Sequence, residues 1–382
     1  MKNNRIIIYF IGFLFSISIS LTYFISSSFL EIYINKYYVS LVYILASVLS
    51  IWGMLEVPKL LNKIGNKKNT LFMGVLILLS LILMGISKNV FVVISAFVLN
   101  IISINLIVSS FDIFVEDFSK SSSIGKSRGF YLVILNLGWV ISQVISIPII
   151  NKASFSSIYL LSASIMAFIL IIFALFLKNF KDPEYKKISI LKTVRFFIKN
   201  RNISKIYIIN FILKFFFAWM AIYTPIYLHE YLGFSWDKIG IIFTIMLIPF
   251  VVIEFPLGRL SDKIGEKKML LYGFIITAIF TLIMPFFEKP SLITWAIILF
   301  GTRIGASMIE VLSESYFFKL EDEKDADAIS FFRNTSPLSF IIAPLLAIPI
   351  LLLVPSFGYL FYILGAIMLF GFFVTLRLKD VK

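Results

Sequence analysis

Three ionisable side chains interrupt one long apolar stretch of this 382-residue chain: Arg303, Glu310 and Glu314. Steps of seven and four residues put them on one stripe of a helix. An ionised group costs ~2.5–3.5 kcal/mol to insert at the centre of a lipid-spanning helix, so it is kept there for a function or for a pairing. A carboxylate in such a place can load and unload a proton near neutral pH. Glu310, together with Asp112, is therefore a candidate proton carrier. Arg303 is a candidate partner for an anionic solute, or for the carboxylate when it ionises. A structural ion pair that fixes helix packing is the competing reading for Glu310. For Glu116, Asp117 and Glu314, at the ends of their stretches, the structural reading is favoured.

Other polar groups fall in apolar stretches as well. Lys214 shares a helix face with Asn210 and could line a cavity or snorkel to the membrane surface. Arg333 precedes the helix-kinking Pro337 and Pro344 and is placed to pair with Glu310 or Glu314. Ser16, Ser20 and Ser27 lie near one stripe with Tyr23, either as cavity liners or as glue between helices. The chain has no cysteine and a single histidine, His229. That removes thiol chemistry and argues against a metal site or a His-centred catalytic triad. No cofactor is expected, and no residue is assigned a catalytic role. His229-Glu230 reads as an interfacial pair, with pH sensing as the alternative.

The elements that hold these groups are long helices. Hydrophobic residues make up 60% of the chain and charged residues only 15%, far from a soluble domain. Runs such as 71–86 and 158–177 are apolar all round, which excludes the alternation of a membrane β-barrel. The pattern predicts an all-α integral membrane protein with twelve spans, at about 6–30, 39–61, 70–87, 90–116, 128–150, 155–177, 204–229, 237–259, 268–287, 291–318, 327–352 and 355–376. The first reads as a retained span, because its apolar run is longer than a signal core. The 42 Phe residues read as lipid-facing and packing bulk.

The net charge of +14 is a matter of topology and not of nucleic-acid binding. Basic residues concentrate in alternate connections and at both termini, which the positive-inside rule places in the cytoplasm, facing anionic lipid. Residues 1–178 and 204–382 form two six-span halves. The basic segment 179–203 joins them, with an amphipathic surface helix expected at 188–198.

A short motif recurs 200 residues apart. The stronger copy carries Gly258, Asp262, Lys263, Gly265, Lys267 and Lys268 between spans 8 and 9. The weaker copy, between spans 2 and 3, has Pro58, Asn62, Lys63, Gly65, Lys67 and Lys68. Gly265 suits a turn at positive φ, Asp262 can meet a helix N-terminus or a basic side chain, and the lysines face anionic lipid. The i, i+4 acidic pairs Asp112…Glu116 and Glu310…Glu314 repeat at nearly the same offset, so the two halves read as copies.

This loop, in the pattern G-x-L-x-D-[KR]-x-G-x-[KR]-[KR], with a six-plus-six organisation over the whole chain, resembles the major facilitator superfamily. The resemblance implies two six-helix bundles around a central cavity lined by spans 1, 4, 7 and 10, with Tyr23, Lys214 and Arg303 as substrate contacts. It implies alternating access by rocking of the halves, with the 258–268 loop as a latch between them. The first half departs from the pattern: Pro58 and Asn62 replace the glycine and the aspartate, so its latch should be weaker or carried by Glu56. The family's arginine in span 4 is not evident, and its Gly-Pro signature in span 5 is degenerate in Gly138…Pro148.

The expected function is secondary active transport of a small solute, coupled to protons, by a functional monomer in the cell membrane with both termini cytoplasmic. A non-transporting sensor on the same fold is the alternative. A membrane transferase is disfavoured by the short outer loops, and a primary pump by the lack of a phosphate-binding G-x-x-x-x-G-K-[ST] loop.

Overall fold

A backbone crossing lipid must satisfy its own N–H and C=O groups, and an apolar run of about 20 residues does so as a helix. A computed structural model describes residues 2–117, 124–177, 195, 197–253, 256–257, 265–289, 291–320, 331–354 and 356–379, and it is helical with short turns. Each expected span has its helix. Spans 1 to 6 are Lys2–Tyr23 continued by Ser26–Glu31, Lys36–Ile64, Asn66–Ile86, Val90–Asp117, Ile124–Lys152 and Phe155–Phe176. Spans 7 to 12 are Arg201–Ile226 continued by Tyr227–Tyr231, Trp236–Val252, Glu266–Ile283 continued by Met284–Phe286, Leu292–Leu320, Thr335–Leu353 and Tyr359–Leu376. Ten of these are long and apolar enough to cross a membrane among the described residues. The other two are span 5, apolar over Val133–Ser146, and span 8, which is 17 residues long where described.

Side-chain caps start several spans. Asn35 Oδ1 accepts from the Tyr37 N–H at 3.1 Å, Asn89 Oδ1 from Phe91 at 2.9 Å, and Asn200 Oδ1 from Asn202 at 3.2 Å. Each satisfies a helix N–H that has no partner within the helix.

The chain divides into two compact units, Met1–Lys187 and Ile188–Lys382. Most of the expected linker lies outside the described residues. Its end does not behave as a free tether: residues 195 and 197–199 are helical, and span 7 begins at Arg201, so 201–203 belong to that span. Phe197 is buried against Phe331, Tyr207 and Phe317, with ring centroids 4.6, 5.5 and 6.3 Å away.

The repeat is visible in backbone irregularities. Span 1 breaks at residues 24–25, before Ser26–Glu31. Two hundred residues on, span 7 contains Pro225 and passes into the π-helical turn Tyr227–Tyr231. A removed N–H and a π-turn both interrupt the regular ladder. Gly65 and Gly265 make the same turn, at φ 80°, ψ 159° and φ 89°, ψ 143°, a region essentially confined to glycine. The positive φ expected of Gly265 is therefore present, and Gly65 shares it.

Small residues let helices touch. The Gly301 and Gly305 faces of span 10 pack on span 9: a Cβ on Gly305 would collide with the Gly273 carbonyl and the Thr277 backbone, and one on Gly301 with the Phe280 ring. In the first unit amides do the equivalent work, with Asn100 Nδ2 donating to Ser80 Oγ at 2.8 Å between spans 4 and 3.

Spans 7, 1 and 10 are the most enclosed, with 72%, 61% and 61% of their central windows buried. Within the second unit, spans 7 and 10 are therefore where an interior site is to be sought. Gly305→Val should force spans 9 and 10 apart and cost about 1–3 kcal/mol. A lowered melting temperature of the purified protein, larger than for Gly358→Ala, whose added Cβ would lie at ordinary contact distance, 3.4 Å or more, from its neighbours, checks this.

Candidate functional site

On span 7, Asn210, Lys214 and Phe217 follow each other at i, i+4 and i+7, so they share one stripe. On span 10, Arg303, Glu310 and Ser313 turn toward that stripe. Lys214 Nζ donates to Glu310 Oε1 at 2.6 Å. The two side chains are 21% and 24% exposed, so the pair is sheltered but reachable. A hydrogen bond between two ionised groups is about twice as strong as a neutral one, and shelter from water raises its weight further.

Arg303, only 3% exposed, lays its guanidinium over two rings of span 7, with Cζ 5.1 Å from the centre of Phe216 and 5.4 Å from that of Phe217. Lys214 Nζ lies 5.3 Å from the centre of the same Phe217. Such contacts are worth ~0.5–1 kcal/mol when exposed and about 2 when desolvated. The Phe217 ring thus meets two cations at once.

One turn from the ion pair a neutral node ties three spans together. Asn210 Nδ2 donates to Ser313 Oγ at 3.3 Å, and Thr335 Oγ1 of span 11 donates to Asn210 Oδ1 at 2.7 Å. All three residues are buried. The node fixes span 7 against spans 10 and 11 and so sets the register in which Lys214 meets Glu310.

The expected partners of Glu310 were Arg303 and Arg333, and the structure gives it Lys214 instead. Lys214 therefore does not snorkel to the surface. Arg333 stands at the start of span 11 and Glu314 one turn beyond Glu310, both half-buried. Asp112 lies within span 4, and its side chain is outside the described residues, as are Glu116 and Asp117. Sequence reasoning missed Phe216 and Phe217 as a cation platform, and it missed Ser313 and Thr335. The i, i+4, i+7 spacing of 210, 214 and 217 was the available signal.

The first unit is built differently. Leu14 and Ser103 stand 200 residues before Lys214 and Arg303. Span 1 is joined to its neighbours by hydroxyls: Ser18 Oγ to Ser162 Oγ at 2.8 Å, Ser20 Oγ to Ser142 Oγ at 2.5 Å, and Ser26 Oγ to Tyr159 OH at 3.1 Å. Ser16 bonds its own helix at Phe13 O, 2.7 Å away. These serines serve packing. Tyr23 rests edge-on against Trp139 of span 5, centroids 4.9 Å apart.

At the loop motif, Gly258, Asp262 and Lys263 lie outside the described residues. Asn62, Lys63 and Lys68 are exposed, and Lys67 Nζ caps the last carbonyl of span 6, Leu177 O, at 2.5 Å. Lys267 and Lys268 open span 9. Beside them Glu266, 2% exposed, pairs with Lys319 at the end of span 10 at 2.5 Å. His229 Nδ1 lies 2.9 Å from Phe234 O, and its ring packs on Trp236. No metal-binding group of acidic, His or Cys side chains occurs among the described residues.

Comparison with known proteins gives this geometry a context. The family described as Major Facilitator Superfamily matches residues 8–238 and 206–382. A multidrug efflux pump of Staphylococcus aureus, SdrM, is 28% identical over 207 residues, which are 54% of this chain and 42% of the relative. An uncharacterized MFS-type transporter of Methanocaldococcus jannaschii is 26% identical over 244 residues, 60% of this chain and 58% of the relative. The chain thus matches only about half the length of these curated relatives. The crystal structure of the nucleoside transporter NupG superposes with a TM-score of 0.76, covering 98% of this chain and 99% of that one at 13% identity, a likeness of fold.

Asn210→Leu should remove both hydrogen bonds of the node and lower stability by about 1–3 kcal/mol, although Ser313 and Thr335 keep the carbonyls of Glu310 and Phe332 as acceptors at 3.1 and 2.8 Å. Thr335→Val, which removes only one donor, should cost about 1 kcal/mol. Thermal unfolding of both variants, compared with wild type, checks the order.

Proposed function

The chain belongs to the Major Facilitator Superfamily, and on that premise we propose that it is a secondary transporter in which Glu310 carries a proton and Lys214 is its switch partner. The observation that carries this reading is the 2.6 Å ion pair between two spans at membrane depth. The pair exists only while Glu310 is ionised. A proton on the carboxylate cancels the attraction, and span 7 is then released from span 10. Protonation is thus converted into a choice between two packings, which is what a coupled transporter needs.

The membrane is the cell membrane, both termini face the cytoplasm, and the working unit is the monomer. The solute is a small organic molecule, by analogy with the multidrug pump SdrM, which resembles part of this chain. The two halves move against one another in alternating access. The 258–268 loop acts as the stronger latch, and the copy at Asn62 and Gly65 as the weaker one. Segment 179–203 connects the halves and 204–382 carries the chemistry of coupling. Asp112 is a second candidate on the proton path. Anionic lipid holds Lys63, Lys67, Lys68, Lys263, Lys267 and Lys268 at the inner surface.

The test is solute flux in proteoliposomes containing the purified chain. An imposed pH gradient should drive accumulation, and a protonophore should abolish it. Glu310→Gln should reduce gradient-driven accumulation to the level of empty vesicles. Full accumulation in that variant removes Glu310 from the coupling step. No flux in wild type with any solute favours the sensor reading.

A further inference from the structure

At the end of the second unit that carries residues 377–379, basic side chains arrive from three elements. Span 12 packs on spans 7 and 9. Just past its end, Arg377 O accepts from Lys205 Nζ of span 7. The charged groups that act on Lys205 are Arg201, Lys379, Lys267 and Arg377, and all four are cations. Arg201, Arg377 and Lys379 are exposed, and Lys205 and Lys267 are half-buried. Glu266, the neighbour of Lys267, is 2% exposed and engaged with Lys319. Glu254, Asp262, Asp380 and the acids of 321–327 lie outside the described residues. Like charges gathered in this way repel one another, and an anion among them turns that repulsion into attraction.

The tail that brings Arg377 and Lys379 is fixed in place. Tyr316 Oη of span 10 donates to Lys379 O at 2.5 Å, and Leu378 between the two basic residues is 2% exposed. Both hydrogen bonds to the tail use main-chain carbonyls, so the charged side chains are left at the surface.

Apolar surface begins next to the cations. Phe370, Phe373 and Arg377 follow each other at i, i+3 and i+7 along one stripe, and both rings are exposed. On span 7, Ile208 lies one turn after Lys205 and is exposed as well. A ligand held at the cations therefore extends onto a surface suited to hydrocarbon.

We propose that this patch binds an anionic phospholipid, with the phosphate at Lys205, Arg377 and the cations around them and an acyl chain along Phe373 and Phe370. The lipid belongs to the leaflet on this side, the inner one in the orientation proposed above. A guanidinium fork can hold two phosphate oxygens at once, and Lys205 Nζ has donors left beyond the one given to Arg377 O. General attraction of basic loops to a membrane engages charges one by one, whereas here two spans and a bonded tail present theirs together. The bound phosphate also relieves the repulsion between the tail and span 7, so the lipid tightens span 12 on span 7. The site is independent of the proton step at Glu310.

The experiment titrates phosphatidylglycerol into the purified full-length chain in a neutral detergent. Phosphatidylcholine with the same acyl chains and water-soluble glycerol phosphate are the comparison arms. Binding is read as a rise in melting temperature, since a ligand of the folded state stabilises it. Phosphatidylglycerol should raise it saturably, and the other two should not at the same concentration. Arg377→Gln/Lys379→Gln removes two charges and keeps both carbonyls. Its apparent affinity should fall about thirtyfold, at about fivefold for each basic residue at an anionic surface. Arg377→Lys/Lys379→Arg should keep its affinity, which separates loss of charge from failure to fold. Lys63→Gln/Lys68→Gln takes as many exposed charges from the first unit and should weaken binding far less.

Equal stabilisation by phosphatidylcholine, or an equal loss in the first-unit variant, would mean diffuse contact with the membrane and no site. Equal stabilisation by glycerol phosphate would assign the patch to a soluble phosphate and overturn the lipid. An unchanged affinity in Arg377→Gln/Lys379→Gln would remove the tail from the site and overturn the inference.

Discussion

A charge held in lipid needs a partner, and that constraint organises the second half of this protein. Lys214 and Glu310 meet each other's need at 2.6 Å, from two different helices. Turning or sliding either helix would separate the two ions, which their partial shelter from water makes unfavourable. The neutral node of Asn210, Ser313 and Thr335 holds the same helices one turn away, and Arg303 and Lys214 both lie against the Phe217 ring. On the coupling proposed above, a proton on Glu310 would dissolve the central contact and leave the node in place, so the arrangement would be rigid in one protonation state and free to rearrange in the other.

The two halves share a backbone plan but not a chemistry. Gly65 and Gly265 repeat one turn, and spans 1 and 7 are interrupted 200 residues apart. Where the second half has charges, the first has Leu14 and Ser103, with serine and amide contacts between helices. The clamp at the start of span 9 is the ion pair of Glu266 with Lys319, while at the start of span 3 Asn66 donates to Ser110 O at 3.0 Å. The turns at Gly65 and Gly265 repeat, while Lys214 and Arg303 have no charged counterpart at positions 14 and 103.

Much of the fold was legible, because length and hydropathy alone fix a lipid-spanning helix. The helix ends moved by a few residues at most places, as where Asn35 and Asn200 cap earlier than the apolar run begins; span 4 starts at Val90 as expected. The docking of Phe197 was not legible, since nothing in a basic amphipathic segment says which bundle its one buried ring will enter. Within the site, the stripe of Arg303, Glu310 and Glu314 could be read from spacing. The partner of Glu310 could not, because spacing orders residues along one helix and says nothing of which neighbouring helix arrives at the same depth. Arg333, close in number, was expected; Lys214, nearly a hundred residues away, is the observed partner.

The most direct test of the account exchanges the two charges. Lys214→Glu and Glu310→Lys should each lower the melting temperature of the purified protein, since each puts like charges in contact, and the double exchange should recover most of the loss. Recovery of the double variant to within about 1 kcal/mol of wild type, after correcting for each single change, is the expected coupling between residues in contact. Additive losses with no recovery would mean that the two groups do not hold spans 7 and 10 together, and the switch would have no physical basis.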